Sequence, residues 1–174
     1  MSLGISLETP RLNLREIDVS QDDLITYLGW LQDTRNNRFI QSARVDYSLE
    51  ELIGFIEVNN SDVNAILFGL FLRENDEFIG TLKVQPIDYS AGTARLGILI
   101  GSPELRGLGY GREALEIVMD YLFNSLKLQD IYLGVDHDNF GAISLYRSLG
   151  FVEFTIQEHS TIMIKTNFNI RNKF

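Results

Sequence analysis

Arg106-Gly107-Leu108-Gly109-Tyr110-Gly111 separates a largely apolar run, Ala94 to Ile100, from a long amphipathic one, Glu113 to Leu126. A strand that enters a helix through a glycine-rich turn aims several unpaired backbone N–H groups at one point. The first four N–H groups of a helix lack internal partners, and the helix dipole adds partial positive charge there. Such a turn predicts a seat for a phosphate or pyrophosphate. Glycine serves it because a Cβ would hold the phosphate away from the amides, and because such turns often require positive φ. Arg106 adds a mobile full charge beside the fixed dipoles. A bare Gly-x-Gly-x-Gly also serves as a tight packing turn, and the rest of the chain decides between the two.

The length of 174 residues suits one domain, 1–174, with a sizeable core. No apolar run approaches the roughly 20 residues that span a bilayer, and the N-terminus has no basic-then-apolar signal pattern, so no membrane partner is expected. With no cysteine and two histidines, neither a disulfide, a thiol nucleophile nor a zinc site is expected, and no metal is assigned. This composition is compatible with a cytoplasmic protein. A net charge of −9 argues against non-specific nucleic-acid binding, so a phosphate ligand must be held by locally arranged amides and a few arginines. The acidic balance also suits a cationic amine as a second ligand.

In chain order, Arg11 to Ile17 alternates as a half-buried strand, and Ser20 offers a cap for a helix bearing Leu24, Tyr27, Leu28 and Leu31. Gln32 to Arg44 is polar and irregular. A helix starts at Ser48, with Glu51 as capping-box partner, and stops at the polar break Asn59 to Asn64. Strands are expected at Ala65–Leu72 and Phe78–Ile87, joined by a hairpin loop at Glu74–Glu77 that lacks the usual glycine, and then at Thr93–Ile100. Ile131–Val135 reads as a buried strand reached by a crossover long enough for a parallel neighbour. Asp138 caps a helix that Gly150 stops, and Phe151–Gln157 with Ser160–Phe168 form a closing antiparallel pair. The result is a mixed α/β chain without repeats or linkers.

Two further stretches, Val135 to Ile143 and Ser144 to Phe151, stand at fixed distance from the glycine turn. Together with it they resemble the GNAT superfamily of acetyl-CoA-dependent N-acetyltransferases. The Arg/Gln-x-x-Gly-x-Gly/Ala motif of that family is met at Arg106, Gly109 and Gly111. Its Asn-x-x-Ala-x-x-Leu-Tyr-x-x-x-Gly-Phe signature is met at Asn139, Ala142, Leu145, Tyr146, Gly150 and Phe151. Glu8 to Arg15 is similar to the start of the branch holding ribosomal-protein N-terminal acetyltransferases, and Tyr27 to Asp33 to members that acetylate amino sugars. The resemblance implies six or seven strands in a mixed sheet, splayed in a V between the fourth and fifth and flanked by about four helices. It also implies acetyl-CoA as cofactor, with the backbone of Ile98, Leu99 and Ile100 bonding the pantetheine. Arg106, Gly107, Leu108, Gly109, Tyr110 and Gly111 would wrap the pyrophosphate, with Asn139, Ala142 and Tyr146 completing the site.

For acyl transfer, Tyr146 is the candidate acid for the departing thiolate, since a phenol has an ordinary pKa of about 10; a packing tyrosine on an amphipathic helix is the alternative. Asn139 either bonds the cofactor or starts its helix, or both. The N–H near Leu99 would polarise the acetyl carbonyl. No base is assigned: Gly134 stands where some relatives carry a glutamate, and His137, Asp136, Glu16 and Asp88 are substitutes. Trp30, Arg35, Arg38 and Phe39 are candidate acceptor contacts, and arginines there suit a phosphate-bearing acceptor rather than a polyamine. The expected activity is therefore acetyl transfer to a primary amine, first an amino sugar or nucleotide amino sugar, second a protein N-terminus. A non-catalytic coenzyme A-binding module is the competing class, and a homodimer is left open as the assembly. A Rossmann-type enzyme is excluded because the glycine turn falls mid-chain, after antiparallel-looking strands.

Overall fold

The computed structural model describes residues 4–37, 39 and 46–168. Strands β1 (Leu7–Glu8), β2 (Leu12–Glu16), β3 (Ile66–Leu72), β4 (Phe78–Asp88), β5 (Thr93–Ile100), β6 (Asp130–Asp136), β7 (Val152–Ile156) and β8 (Ser160–Thr166) form one sheet. Its order is β1-β2-β3-β4-β5-β6-β8-β7. Neighbours pair antiparallel except β5 and β6, which are parallel. The eighth strand, against six or seven expected, is the two-residue β1, which pairs with β2.

Among the described residues five α-helices cover the sheet: α1 (Leu24–Gln32), α2 (Thr34–Asn37), α3 (Leu49–Ser61), α4 (Tyr110–Asp120) and α5 (Phe140–Ser148). Among them α2 is a single turn, which accounts for the excess over four. Every residue of β3 is buried because both sheet faces are covered. Leu67 and Phe71 pack with Leu24, Tyr27 and Leu31 of α1 and Leu52 and Ile56 of α3. Phe68 and Leu70 belong to the larger core with Ala114, Leu115 and Val118 of α4.

Local chemistry moved several boundaries. Asp23, not Ser20, caps α1, accepting from the Thr26 N–H at 2.9 Å; the Ser20 hydroxyl donates instead to Asp18. The expected capping box of Ser48 and Glu51 is present on α3. That helix runs through Asn59 to Ser61, because Asn59 Nδ2 and Ser61 Oγ donate back to the carbonyls of Phe55 and Glu57. In the β3–β4 loop Asp76 takes the left-handed φ of 56° that a turn glycine would have supplied. Helix α4 begins at Tyr110 rather than Glu113, directly after Gly109 at φ 89°, and Tyr121–Ser125 continue it as a π-turn. Asn139, not Asp138, caps α5 through Ala142 N–H, while Gly150 ends it at φ 87°.

The parallel ladder is what opens the molecule. It runs from Thr93 opposite Asp130 to Leu96 opposite Leu133 and stops. Beyond that point β6 follows β8, with Gly134 opposite Ile162. Ile98, Leu99 and Ile100 keep only β4, opposite Leu82, Thr81 and Gly80. Counted without β1, the splay lies between the fourth and fifth strands, where the resemblance places it.

Candidate active site

The splay opens into a cavity of about 1200 Å³. Ile98, Leu99 and Ile100 line one wall, Gly134 and Val135 another, and Gly107, Gly109 and Gly111 one end. Gly107 and Gly109 have φ of 74° and 89°, so this turn needs residues without a Cβ penalty, and it delivers the N-terminal amides of α4 to the cavity. An unpaired strand edge leading to such a turn fits an extended amide-containing arm that ends in a pyrophosphate.

The turn is braced from outside. The Arg11 backbone N–H and Nε donate to Glu113 at 2.9 and 2.7 Å, Nη1 donates to the Leu108 carbonyl at 2.9 Å, and the guanidinium lies 4.5 Å from the centre of the Tyr110 ring. Burial pushes the Glu113 carboxyl up, but the hydrogen bonds from Thr9 and Arg11 outweigh it and hold the pKa below the ordinary value. Leu108 and Tyr110 are absent from the cavity lining: Leu108 is exposed and Tyr110 packs beneath Arg11 and against the core.

Arg106 is not the mobile charge the sequence suggests. Its Nη2 donates to Asn36 Oδ1, and its Nε to the Ile100 carbonyl at 3.2 Å. Asn36 is 3% exposed and also donates to the carbonyls of Trp30 and Gly101. The guanidinium thus ties α2 to the end of β5.

Tyr146 lies in the cavity wall at 7% exposure, its ring edge-to-face with Phe151 at 6.0 Å. Burial pushes its phenol up to about 12, and among the described residues its hydroxyl has no hydrogen-bond partner. It therefore stays protonated through neutral pH, which suits it to give a proton rather than to take one. Asn139 and Ala142 line the same wall, so Asn139 both caps α5 and faces the cavity.

Of the four base candidates the structure brings only Asp136 to the cavity. His137 Nε2 lies 3.1 Å from Thr161 Oγ1 outside the lining, Asp88 is spent on the Ser90–Ala91 turn, and Glu16 sits on β2. His159, on the β7–β8 hairpin, lines the cavity. A Cβ on Gly134 would meet only Ile162, at 3.6 Å.

The acceptor candidates divide. Arg35 and Phe39 line the cavity, with Arg35 paired to Asp33 at 2.7 Å, and Arg38 lies outside the described residues. Trp30 does not reach the cavity: its indole packs on Gly101, 5.1 Å from the Phe78 ring and 6.0 Å from Tyr27. An aromatic followed by a polar loop marks a wall of this kind as readily as a binding contact. Sequence reasoning missed Lys83 and Arg95, which line the cavity from β4 and β5. Their signal was a charge at alternate positions of an otherwise apolar strand, which reads as a solvent-facing residue.

Among the described residues no group of three or more His, Cys, Asp or Glu could hold a metal ion, and no helix is long and apolar enough to cross a membrane.

A splayed sheet whose free edge runs into an anion-ready turn, with a buried phenol beside it, is the framework of a coenzyme A-dependent acyltransferase. The family described as Acetyltransferase (GNAT) domain matches residues 11–152, and the chain belongs to it. The protein is an N-acetyltransferase that uses acetyl-CoA. The chain is 40% identical over 125 residues to the spermidine N(1)-acetyltransferase of Escherichia coli K12, covering 71% of this chain and 67% of the relative. It is 30% identical over 147 residues, 84% and 82% of the two chains, to the uncharacterized N-acetyltransferase p20 of Bacillus licheniformis. The spermidine N-acetyltransferase of Vibrio cholerae, solved with coenzyme A and spermine, superposes with a TM-score of 0.80 at 25% identity, covering 94% of this chain and all of that one.

Proposed function

We propose that the acetyl group passes directly to the primary amine of a small acceptor, an amino sugar or nucleotide amino sugar, with Tyr146 as the acid. The observation that carries the chemistry is the buried, protonated phenol of Tyr146 facing the gap left by β6. Bound acetyl-CoA supplies the thioester. The free edge at Ile98 to Ile100 holds its amide-bearing arm, and the amides of Gly107 to Gly111 hold its pyrophosphate. The N–H near Leu99 polarises the acetyl carbonyl. The amine nitrogen forms the new C–N bond as the C–S bond breaks, and the Tyr146 hydroxyl gives its proton to the departing sulfur. The ammonium proton leaves to solvent or to Asp136, a carboxylate of the cavity lining, and Tyr146 regains its proton from solvent. Arg35 and Phe39 contact the acceptor.

A polyamine is the second reading, favoured by the 40% identity to a spermidine acetyltransferase. Free thiol release from acetyl-CoA, measured over glucosamine, its phosphates, spermidine and peptides with free N-termini, separates the readings. Turnover confined to amino sugars supports the first; turnover confined to spermidine or to peptides ends it.

A further inference from the structure

Five cations line the cavity among the described residues, Arg35, Lys83, Arg95, Arg106 and Arg112, against the single carboxylate of Asp136. That balance is the reverse of the whole chain, at −9. Three of the five have partners: Arg35 pairs with Asp33, Arg106 is tied to Asn36, and Arg112 bonds Ser148 and Glu116. Lys83 and Arg95 have no hydrogen bond or ion pair among the described residues.

The backbone register places these two together. Lys83 of β4 stands opposite Gly97 of β5, and Arg95 lies two residues from Gly97, on the same sheet face. Nothing lies within 4 Å of where a Gly97 Cβ would be, so the strip between the two cations is open. Phe55 of α3 lines the same cavity, with Lys83 Nζ 4.7 Å from its ring centre. Burial lowers the Lys83 pKa, and the charge of Asp62 only partly offsets it. A half-buried ammonium beside an unpaired guanidinium is a seat for a dianion, which supplies charge-assisted bonds to both.

We propose that Lys83 and Arg95 form an anion subsite that takes a phosphate group carried by the acceptor amine. It rests on the transferase reading above and deepens it by naming the acceptor class, an amine that is also a phosphate monoester or diphosphate. The same two charges repel a polyamine.

The test compares glucosamine, glucosamine 6-phosphate, UDP-glucosamine and spermidine as acceptors for the parent enzyme and for Lys83→Gln and Arg95→Gln, with melting curves checking that the variants fold. A phosphorylated acceptor should exceed glucosamine at least tenfold in kcat/KM, and each variant should bring that ratio toward one. Equal use of glucosamine, preference for spermidine, or a ratio unchanged in both variants overturns the subsite. Calorimetry of the coenzyme A-loaded protein with glucosamine 6-phosphate and UDP-glucosamine gives a readout independent of turnover. Binding that both variants abolish, with no amine acetylated, keeps the subsite and removes the amino-sugar transfer reading; absence of binding to the parent removes the subsite.

Discussion

Asn36 Oδ1 accepts a hydrogen bond from Arg106 Nη2, joining residues 70 positions apart, one on the single-turn helix α2 and one at the entry to the glycine turn. The Asn36 amide also donates to the carbonyls of Trp30 and Gly101, so one buried side chain closes three connections at the seam between the α1–α2 segment and the end of β5. Asn36→Ala strips these polar groups of their partner at once. Denaturant unfolding should show a loss of about 1–3 kcal/mol. Arg106→Ala combined with it should cost less than the sum of the two, since both changes break the same contact.

Tyr146→Phe removes the hydroxyl proposed as the proton donor and keeps the ring on Phe151. A kcat decrease of roughly 10²-fold with little change in acetyl-CoA affinity is expected in steady-state and binding measurements. An unaltered kcat would remove the hydroxyl from the mechanism.

Tyr27 and Tyr146 both have phenols raised to about 12 by burial, Tyr27 despite its hydrogen bond with Thr81. A folded pKa above the unfolded value of about 10 favours the folded state fully below pH 10, and that contribution is lost as pH rises toward 12. Stability should therefore fall over pH 10–12, and Tyr27→Phe and Tyr146→Phe should each flatten that fall. Urea unfolding at pH 8 and across the alkaline range reads it directly.

Arg11 braces the glycine turn from the far side, and its Nη2 would stand 3.1 Å from a Cβ on Gly109. The ion pair with Glu113 is half-exposed and weak as a source of stability, but it fixes the turn's position. Arg11→Ala should raise the acetyl-CoA KM on the order of tenfold while the acceptor KM and melting temperature change little. Glu113→Gln should move the same parameter in the same direction.

Gly80 sits opposite Ile100, where an added Cβ would collide with the backbone carbonyl of Leu99. Backbone cannot turn aside as a side chain does. Gly80→Ala should push the free half of β5 into the cleft and abolish acetyl-CoA binding, measured by calorimetry, even if the protein still folds.

How far the sequence reached follows from the kind of signal each residue gives. The glycine turn, Asn139, Tyr146 and the αL Gly150 act through backbone conformation or fixed spacing along one short segment, which a sequence displays directly. Asn36 and the tie it makes to Arg106 depend on a contact across 70 residues, so Arg106 read as free. Trp30 looked like a ligand contact because nothing local reveals Gly101 beneath its indole. Lys83 and Arg95 look like solvent-facing residues until the register sets them around the open space at Gly97. Asp23 and Asn139 displaced their neighbours as caps by one to three positions, a choice made by which carboxylate or amide reaches the free N–H.

If the arm of acetyl-CoA lies, as proposed, along the edge of β5 left bare from Ile98 to Ile100, the cofactor is a removable piece of the sheet as well as a reagent. A ligand that binds only the folded chain adds about 2.7 kcal/mol at a hundred times its dissociation constant. Under that proposal the chain should melt at a higher temperature with saturating acetyl-CoA than without it, so its stability would follow the supply of its own cofactor. With acetyl-CoA scarce, the chain would then lack an internal scaffold as well as its substrate, and limited proteolysis should cut it faster than the cofactor-saturated form.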